Sequence, residues 1–153
     1  MNAPRLSIPA LILGCAAALA APAPGTREFE KTMPLPKSET KVGWSNERCA
    51  VVSVNLQNYP SSDDVDKAKK DPSDHTWMWW NFHVENGGSR KCRIKLWVEI
   101  YDKNGSVLKA SDRTGTVDAD KYDDNIRLST RMKTLDIVES PKARIRAEIG
   151  PTD

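Results

Sequence analysis

The stretch from His75 to Asp102 constrains the fold more than any other part of the chain. It reads HTWMWWNFHVENGGSRKCRIKLWVEIYD and contains two runs of alternating side chains, separated by Gly87-Gly88. Strict alternation is typical of strands that bury one face and expose the other. Glycine supplies the positive φ angles that a tight hairpin turn requires. The stretch therefore predicts the central hairpin of an all-β domain.

The same alternation assigns each side chain of the predicted hairpin to a face. Over Thr76–Glu85 the even positions are apolar and predict core: Met78, Trp80, Phe82 and Val84. Over Cys92–Tyr101 the inward set is Cys92, Ile94, Leu96, Val98 and Ile100. The outward faces then carry Trp77, Trp79, Trp97 and Tyr101. If both apolar faces point inward, the hairpin register places Trp79 near or opposite Trp97.

Runs elsewhere in the chain predict further strands with short turns between them. The valine-rich run Cys49–Asn58 predicts a strand that buries Val52, Val54 and Leu56. Asp102–Gly105 predicts a second hairpin turn. Weaker strands are expected at residues 106–110, 114–117, 126–132 and 143–149, while Thr134–Glu139 is ambiguous. The last of these strands is predicted to point Ala143, Ile145, Ala147 and Ile149 inward.

The stretch Ser61–Asp74 is the least β-like part of the predicted domain. Its aspartates precede its lysines, and Pro72 follows, so it predicts a short surface helix with Ser62 as the N-cap, or a loop. The whole pattern predicts one immunoglobulin-like β-sandwich of about seven mostly antiparallel strands. A small β-barrel of the same strands is the alternative.

Residues 1–20 have the pattern of a secretory signal peptide. Arg5 precedes the apolar run Leu6–Ala20, which ends in Ala-Leu-Ala. This predicts a secreted or periplasmic protein of a bacterium. Ile-Leu-Gly-Cys15 also resembles a lipobox, and a lipidated Cys15 would anchor the protein to the envelope. Residues 21–36 predict a flexible or edge-strand segment, and residues 37–151 the sandwich.

Two cysteines remain after the predicted signal. Cys49 and Cys92 form an even pair in a chain predicted to be exported, which indicates a disulfide. Two buried free thiols are the alternative. A zinc site is disfavoured, because no Cys-x-x-Cys pair or nearby Cys/His cluster accompanies them.

Charge excludes one class of partner. The sequence has 23 Lys and Arg residues against 21 Asp and Glu, with no polybasic segment. Proteins that bind nucleic acid usually carry a basic stripe, so no nucleic-acid partner is predicted.

Two groups of aspartates are candidate calcium ligands. The residues 118–125 predict an acidic loop that contains Asp118, Asp120, Asp123 and Asp124. Carboxylates suit calcium, but Tyr122 occupies a ligand position of the EF-hand order, so a solvated loop is favoured. Asp63, Asp64 and Asp66 are interpreted as helix-start charges. No metal or other cofactor is predicted.

Catalytic motifs are missing from the sequence. His75 and His83 are the only side chains with an ordinary pKa near neutrality, and neither lies in a GxSxG or HExxH motif. The sequence therefore predicts a protein that is not an enzyme.

The stretch Leu96–Leu108, LWVEIYDKNGSVL, preceded by WNFHVENGGSRKC, resembles bacterial secreted immunoglobulin-like domains of the FxLYD type. Asn86, Tyr101-Asp102, Gly105 and Val107-Leu108 lie where that pattern has its turn, Tyr-Asp, glycine and Val-Leu. Ile100 replaces the family's leucine, and the phenylalanine is missing. The resemblance covers about 30 residues and implies an interaction or structural module without catalytic residues.

The outward aromatic residues are the candidate binding site. Exposed tryptophans could bind a protein partner, stack on sugar rings, or form an interface between two copies of the chain. Alternatively, Thr26–Trp44 or Ser61–Asp74 folds over them. The sequence thus predicts an exported, non-catalytic module for protein interaction or envelope structure, with carbohydrate binding as the alternative. Membrane contact is expected only if Cys15 is lipidated.

Overall fold

The computed structural model describes residues 21–152. The predicted signal peptide and Cys15 lie outside these residues. The described chain forms eight strands and two helices: β1 Arg27–Met33, β2 Thr40–Asn46, β3 Cys49–Gln57, α1 Ser62–Lys70, β4 His75–Asn86, β5 Cys92–Tyr101, β6 Val107–Val117, β7 Lys121–Lys133, α2 Thr134–Glu139 and β8 Lys142–Pro151.

The strands form two four-stranded antiparallel sheets that enclose the core. One has the order β2-β3-β4-β7 and is called the β4 sheet; the other has the order β1-β8-β5-β6 and is called the β5 sheet. This confirms the predicted all-β sandwich and not the closed barrel. In immunoglobulin sandwiches, strand B lies between A and E, and strand C lies between F and C′. Here β4 lies between β3 and β7, and β5 lies between β8 and β6, so the two arrangements match, with β1 in the place of strand G.

The predicted central hairpin is wrong. β4 pairs with β3 and β7, whereas β5 pairs with β6 and β8, so the chain crosses from one sheet to the other between Asn86 and Cys92. Neither Gly87 nor Gly88 has a positive φ. A Cβ on Gly87 would instead lie 3.3 Å from the Tyr122 ring. Alternation could not reveal the crossing, because facing strands of two sheets show the same inward pattern as a hairpin.

Asn86 holds this crossing in place. Its side chain is 2% exposed, and its Nδ2 donates to the carbonyl oxygens of Arg90 (2.7 Å) and Val117 (3.1 Å). Its Oδ1 accepts from the Gly88 N–H at 2.9 Å. A buried amide with all these partners stabilises the connection, and losing them would cost about 1–3 kcal/mol.

The predicted core faces of β4, β5 and β8 are confirmed. The fully buried residues include Met78, Trp80, Phe82, Val84, Ile94, Leu96, Val98, Ile100, Ala143, Ile145 and Ile149. Trp80 satisfies its indole N–H by donating to Thr130 Oγ1 at 3.2 Å. Burial of each large apolar side chain contributes roughly 1.5–3 kcal/mol, so these three strands supply much of the stability.

The predicted inward face of β3 is only partly correct. Val54 and Leu56 are buried, but Val51 takes the core position predicted for Val52. The register with β4 shifts between Val51 and Ser53, so Val52 is an extra residue in the strand. Such a bulge reverses the alternation beyond it, which a strict two-residue period cannot anticipate.

The predicted acidic loop is shorter than expected. β7 begins at Lys121, so Asp123 and Asp124 are strand residues, and only residues 118–120 form the turn. The ambiguous segment Thr134–Glu139 is helix α2. Ser61, not Ser62, caps α1, where it forms a capping box with Asp64.

The predicted disulfide is present. Cys49 and Cys92 begin β3 and β5, so their bond joins the two sheets at one end of the sandwich. A cross-link over 43 residues stabilises the fold by roughly 4 kcal/mol in the chain-entropy model. It is consistent with an oxidising, extracytoplasmic location. Within residues 21–152, no helix has the length and apolar character needed to cross a bilayer.

Candidate functional site

The outward aromatic residues lie on two opposite surfaces of the sandwich. Trp77 and Trp79 project from β4 on the outer face of the β4 sheet, and Trp97 and Tyr101 project from β5 on the outer face of the β5 sheet. The prediction that Trp79 lies near or opposite Trp97 is therefore wrong. One binding surface cannot use all four residues.

On the β5 sheet, charged side chains surround Trp97. The Lys95 Nζ atom lies 4.5 Å from its ring centroid, and the Arg146 guanidinium lies 5.0 Å from it. Both distances suit a cation–π interaction. Trp97 is only partly exposed, so its ring packs against its own neighbours.

Tyr101 belongs to a hydrogen-bonded cluster on the same face. Its hydroxyl donates to Glu99 Oε2 at 2.6 Å, and Arg144 donates to the same oxygen from Nη2 at 2.6 Å and from Nε at 2.9 Å. Partial burial raises the pKa of Glu99, but the hydrogen bonds from Tyr101 and Arg144 outweigh that effect and lower it overall. The phenol is thus engaged within the protein.

Positive and negative residues are equal in number on this outer face. The outward cations of β5 and β8 are Arg93, Lys95, Lys142, Arg144 and Arg146. The outward carboxylates of the sheet are Glu28, Glu30, Glu99, Asp112 and Glu148. Arg144 also lies 3.8 Å from Glu30. The face is close to neutral, and Arg144 and Arg146 form ion pairs with Glu30 and Glu99 within it.

The β4 sheet presents a different surface around Trp77. Trp77 is 50% exposed, and its cross-strand neighbour Arg131 lies 6.0 Å from its ring centroid. Trp79 is flanked by Gln57 on β3 and Ser129 on β7. We call this surface the tryptophan end; it consists of the outward residues Asn55, Gln57, His75, Trp77, Trp79, Asn81, Arg127, Ser129, Arg131 and Lys133.

The tryptophan end contains no carboxylate. Arg127, Arg131 and Lys133 carry permanent positive charge, and none forms an ion pair with another residue of the described chain. The adjacent Asp74 carboxylate accepts a hydrogen bond from the Thr134 hydroxyl at 2.8 Å. The surface therefore combines an exposed indole, several amides and uncompensated cations.

The segments predicted to cover this surface lie elsewhere. β1 and β2 are edge strands of the two sheets, and Phe29 stacks on Trp44 at 5.9 Å, which closes that side of the sandwich. Helix α1 contacts α2 beyond the end of the sheet. Trp77 consequently remains open to solvent.

The other end of the β4 sheet is acidic. His83 Nε2 lies 3.7 Å from Asp123 Oδ1 and 3.9 Å from Glu85 Oε1, and makes no hydrogen bond within the described residues. Ser53, the cross-strand neighbour of His83, donates instead to Glu39 Oε1 at 2.7 Å. The serine hydroxyl therefore points away from the imidazole.

The predicted aspartate groups do not converge. Asp118 pairs with Lys91 at 2.8 Å, a contact that lowers the pKa of Asp118 and raises that of Lys91. Asp123 lies beside His83 on the strand instead. Across residues 21–152, no three His, Cys, Asp or Glu side chains are arranged to hold a metal ion.

A cleft of about 690 Å³ lies beside the disulfide, lined mainly by the β2–β3 and β4–β5 connections. Some of its polar groups have partners in the protein. Asn46 Nδ2 donates to the carbonyl oxygens of Gly25 and Ile149, and Arg48 donates to that of Gly87. These hydrogen bonds hold the connections that line the cleft together.

The cations of the tryptophan end were not identified from the sequence. The inward set Ile126, Leu128, Thr130 and Met132 could have indicated that the residues between them, including Arg127 and Arg131, point outward along β7. That β7 lies beside β4, however, follows only from the tertiary structure. No protein-family model and no curated protein sequence matches this chain.

Proposed function

We propose that the protein is an exported, non-catalytic β-sandwich module that binds a partner through the tryptophan end. The observation that carries the proposal is the 50% exposure of Trp77 on an open sheet face. By contrast, Trp44 and Trp80 are in the core, and Trp97 is held by two cations. Leaving a large aromatic group in water forgoes the free energy of burying it, and tryptophan is enriched at binding hot spots.

The surroundings of Trp77 also support a binding role. Arg127 and Arg131 lie on the same face without an ion-pair partner in the described chain, and arginine accompanies tryptophan at interface centres. The disulfide and the predicted signal peptide support export. The resemblance to FxLYD-type domains supports an interaction or structural module.

The proposal assigns no catalytic residue. His75 is exposed on the tryptophan end without a neighbouring nucleophile, and His83 faces two carboxylates rather than the Ser53 hydroxyl. Binding without turnover is therefore the simplest use of this surface.

Three kinds of partner fit the proposal: a protein, a glycan, and a second copy of the chain. A polar group of Asn55, Gln57, Asn81 and Ser129, which surrounds Trp79 on the same face, favours a ligand rich in hydroxyl groups. A protein partner with an apolar anchor would contact Trp77 and fewer of these polar side chains. Sedimentation as a monomer at high protein concentration would exclude self-association.

Photo-crosslinking in the producing cells tests the surface itself. We place a photo-reactive amino acid at Ser129 and, as the matched control, at Thr114, an exposed residue on the edge strand of the opposite face. We expect crosslinked products from Ser129 only, and we expect Trp77→Ala to reduce them. Equal labelling from both positions would contradict the proposal.

A further inference from the structure

We infer that the ligand of the tryptophan end is an acidic polysaccharide, a chain of pyranose rings that carry carboxylate or sulfate groups. The inference rests on the proposed function and names the class of partner. It combines three features of the surface: an exposed ring, an unpaired row of cations, and a set of neutral hydrogen-bonding groups.

The exposed indole provides the stacking element. Trp77 projects from a flat, solvated sheet, and half of its surface is accessible. The C–H faces of a pyranose ring are apolar, so a sugar can pack flat on an indole while its hydroxyl groups stay hydrated. Trp79, on the same face and partly exposed, lies two residues along the strand, about 6.8 Å away.

The row of cations selects an anionic chain. Arg127, Arg131 and Lys133 alternate along one face of β7, so Arg127 and Arg131 lie about 14 Å apart. Guanidinium groups bind carboxylate and sulfate oxygens through two parallel hydrogen bonds. Because the surface has no carboxylate to compensate them, the cations attract a negative polymer that runs along the edge strand.

The neutral groups distinguish a glycan from a lipid surface. Asn55, Gln57, Asn81 and Ser129 offer both donors and acceptors, which match the hydroxyl groups of a sugar. The same polar groups would lose their hydrogen bonds to water if the face were pressed into acyl chains, which is unfavourable. A membrane surface is therefore the poorer match, although anionic headgroups share the charge.

Calorimetry on the exported full chain tests the assignment. The probes are polygalacturonate, heparin, dextran, phosphatidylglycerol vesicles and a single-stranded oligonucleotide, each at low and at physiological salt. We expect binding to an acidic polysaccharide that weakens as salt rises, with at least tenfold weaker binding to dextran and no binding to vesicles or oligonucleotide.

Matched variants locate the binding. Trp77→Ala and the double variant Arg127→Gln/Arg131→Gln should each weaken acidic-polysaccharide binding at least tenfold. The controls Trp97→Ala and Arg93→Gln/Lys95→Gln, which remove one tryptophan and two cations from the opposite face, should change it less than twofold. Circular dichroism on every variant establishes folding, and the arginine variant alone suffices if Trp77→Ala unfolds.

The negative outcomes separate the inference from the proposed function. Equal binding to dextran, or binding to vesicles or oligonucleotide alone, overturns the acidic-polysaccharide assignment. No polysaccharide binding together with persistent Ser129 crosslinks overturns the inference and leaves the proposed function. The absence of both overturns both.

Discussion

Each outer face of the sandwich carries an outward tryptophan, and the surroundings of the two tryptophans differ. Trp97 lies within 5.0 Å of two cations, on a face whose cations and carboxylates are equal in number. Trp77 lies in the tryptophan end, whose residues include cations and no carboxylate, and it is half exposed. The sequence pattern that places both residues outward is the same.

The difference shows that outward alternation does not by itself make a binding site. On the β5 sheet, two cation–π contacts engage Trp97, and Arg144 and Arg146 form ion pairs with Glu99 and Glu30. On the β4 sheet, Trp77 has the longer contact with Arg131, at 6.0 Å, and the cations of the tryptophan end have no ion-pair partner in the described chain. A ligand can supply those partners only where the protein leaves them unsatisfied.

The largest expected effect is on binding. Trp77→Ala should weaken binding to the partner captured from Ser129 by about 2 kcal/mol, about thirtyfold, because central aromatic anchors contribute most of an interface's affinity. Trp97→Ala should leave the affinity unchanged. A titration of both variants against that partner measures the difference, and similar losses would remove the distinction between the faces.

Stability should show the opposite order. Arg144→Ala leaves the partly buried Glu99 carboxylate without its cation and should lower the free energy of unfolding by roughly 1–2 kcal/mol. Arg131→Ala removes an exposed group and should change it by less than about 0.5 kcal/mol. Urea denaturation of both variants gives the comparison. A larger loss for Arg131→Ala would indicate that the tryptophan end is structural.

Acid should affect the β5 face through Glu99. The folded-state pKa of Glu99 is lowered, so its ionised form stabilises the fold above its ordinary pKa, and this contribution is lost as pH falls through the folded value. Glu99→Gln should therefore be less stable than the natural protein at neutral pH, with the gap closing in acid. Thermal melts from pH 7 to pH 3 test this. A gap of constant size would show that the carboxylate charge is not responsible.

The smallest expected effect is spectroscopic. Acrylamide should quench the fluorescence of the natural protein in part, and Trp77→Phe should lower the accessible fraction because Trp77 is the most exposed tryptophan of the described chain. Trp97→Phe should change it less. An unaltered quenching curve for Trp77→Phe would mean that the ring is covered in solution.

Local patterns determined which residues lie inward. The inward sets of β4, β5 and β8 were predicted correctly, because an apolar side chain at every second position can be buried only on one face of a strand. The prediction failed at β3, where the bulge at Val52 breaks the period. The disulfide was also predictable, since the two cysteines after the predicted signal peptide have one way to pair.

Partner strands were not predictable from local patterns. Two strands that each bury one apolar face show the same alternation whether they form a hairpin or face each other in two different sheets. Which strands pair depends on the buried amide of Asn86, which holds the crossing, and on hydrogen bonds between strands that are far apart in sequence. The Gly-Gly pair indicated a turn, but neither glycine has a positive φ, and Gly87 instead provides space beside Tyr122.

The sequence by itself thus determined the all-β class, the disulfide and the outward direction of Trp77, Trp79 and Trp97. Only the tertiary structure decided that these tryptophans lie on opposite faces, that Arg127 and Arg131 stand beside Trp77, and that no segment of the described chain covers them. The physical reason is the distance along the sequence over which each feature is decided. Side-chain alternation depends on neighbours two residues apart, whereas the composition of a sheet face depends on which distant strands pair.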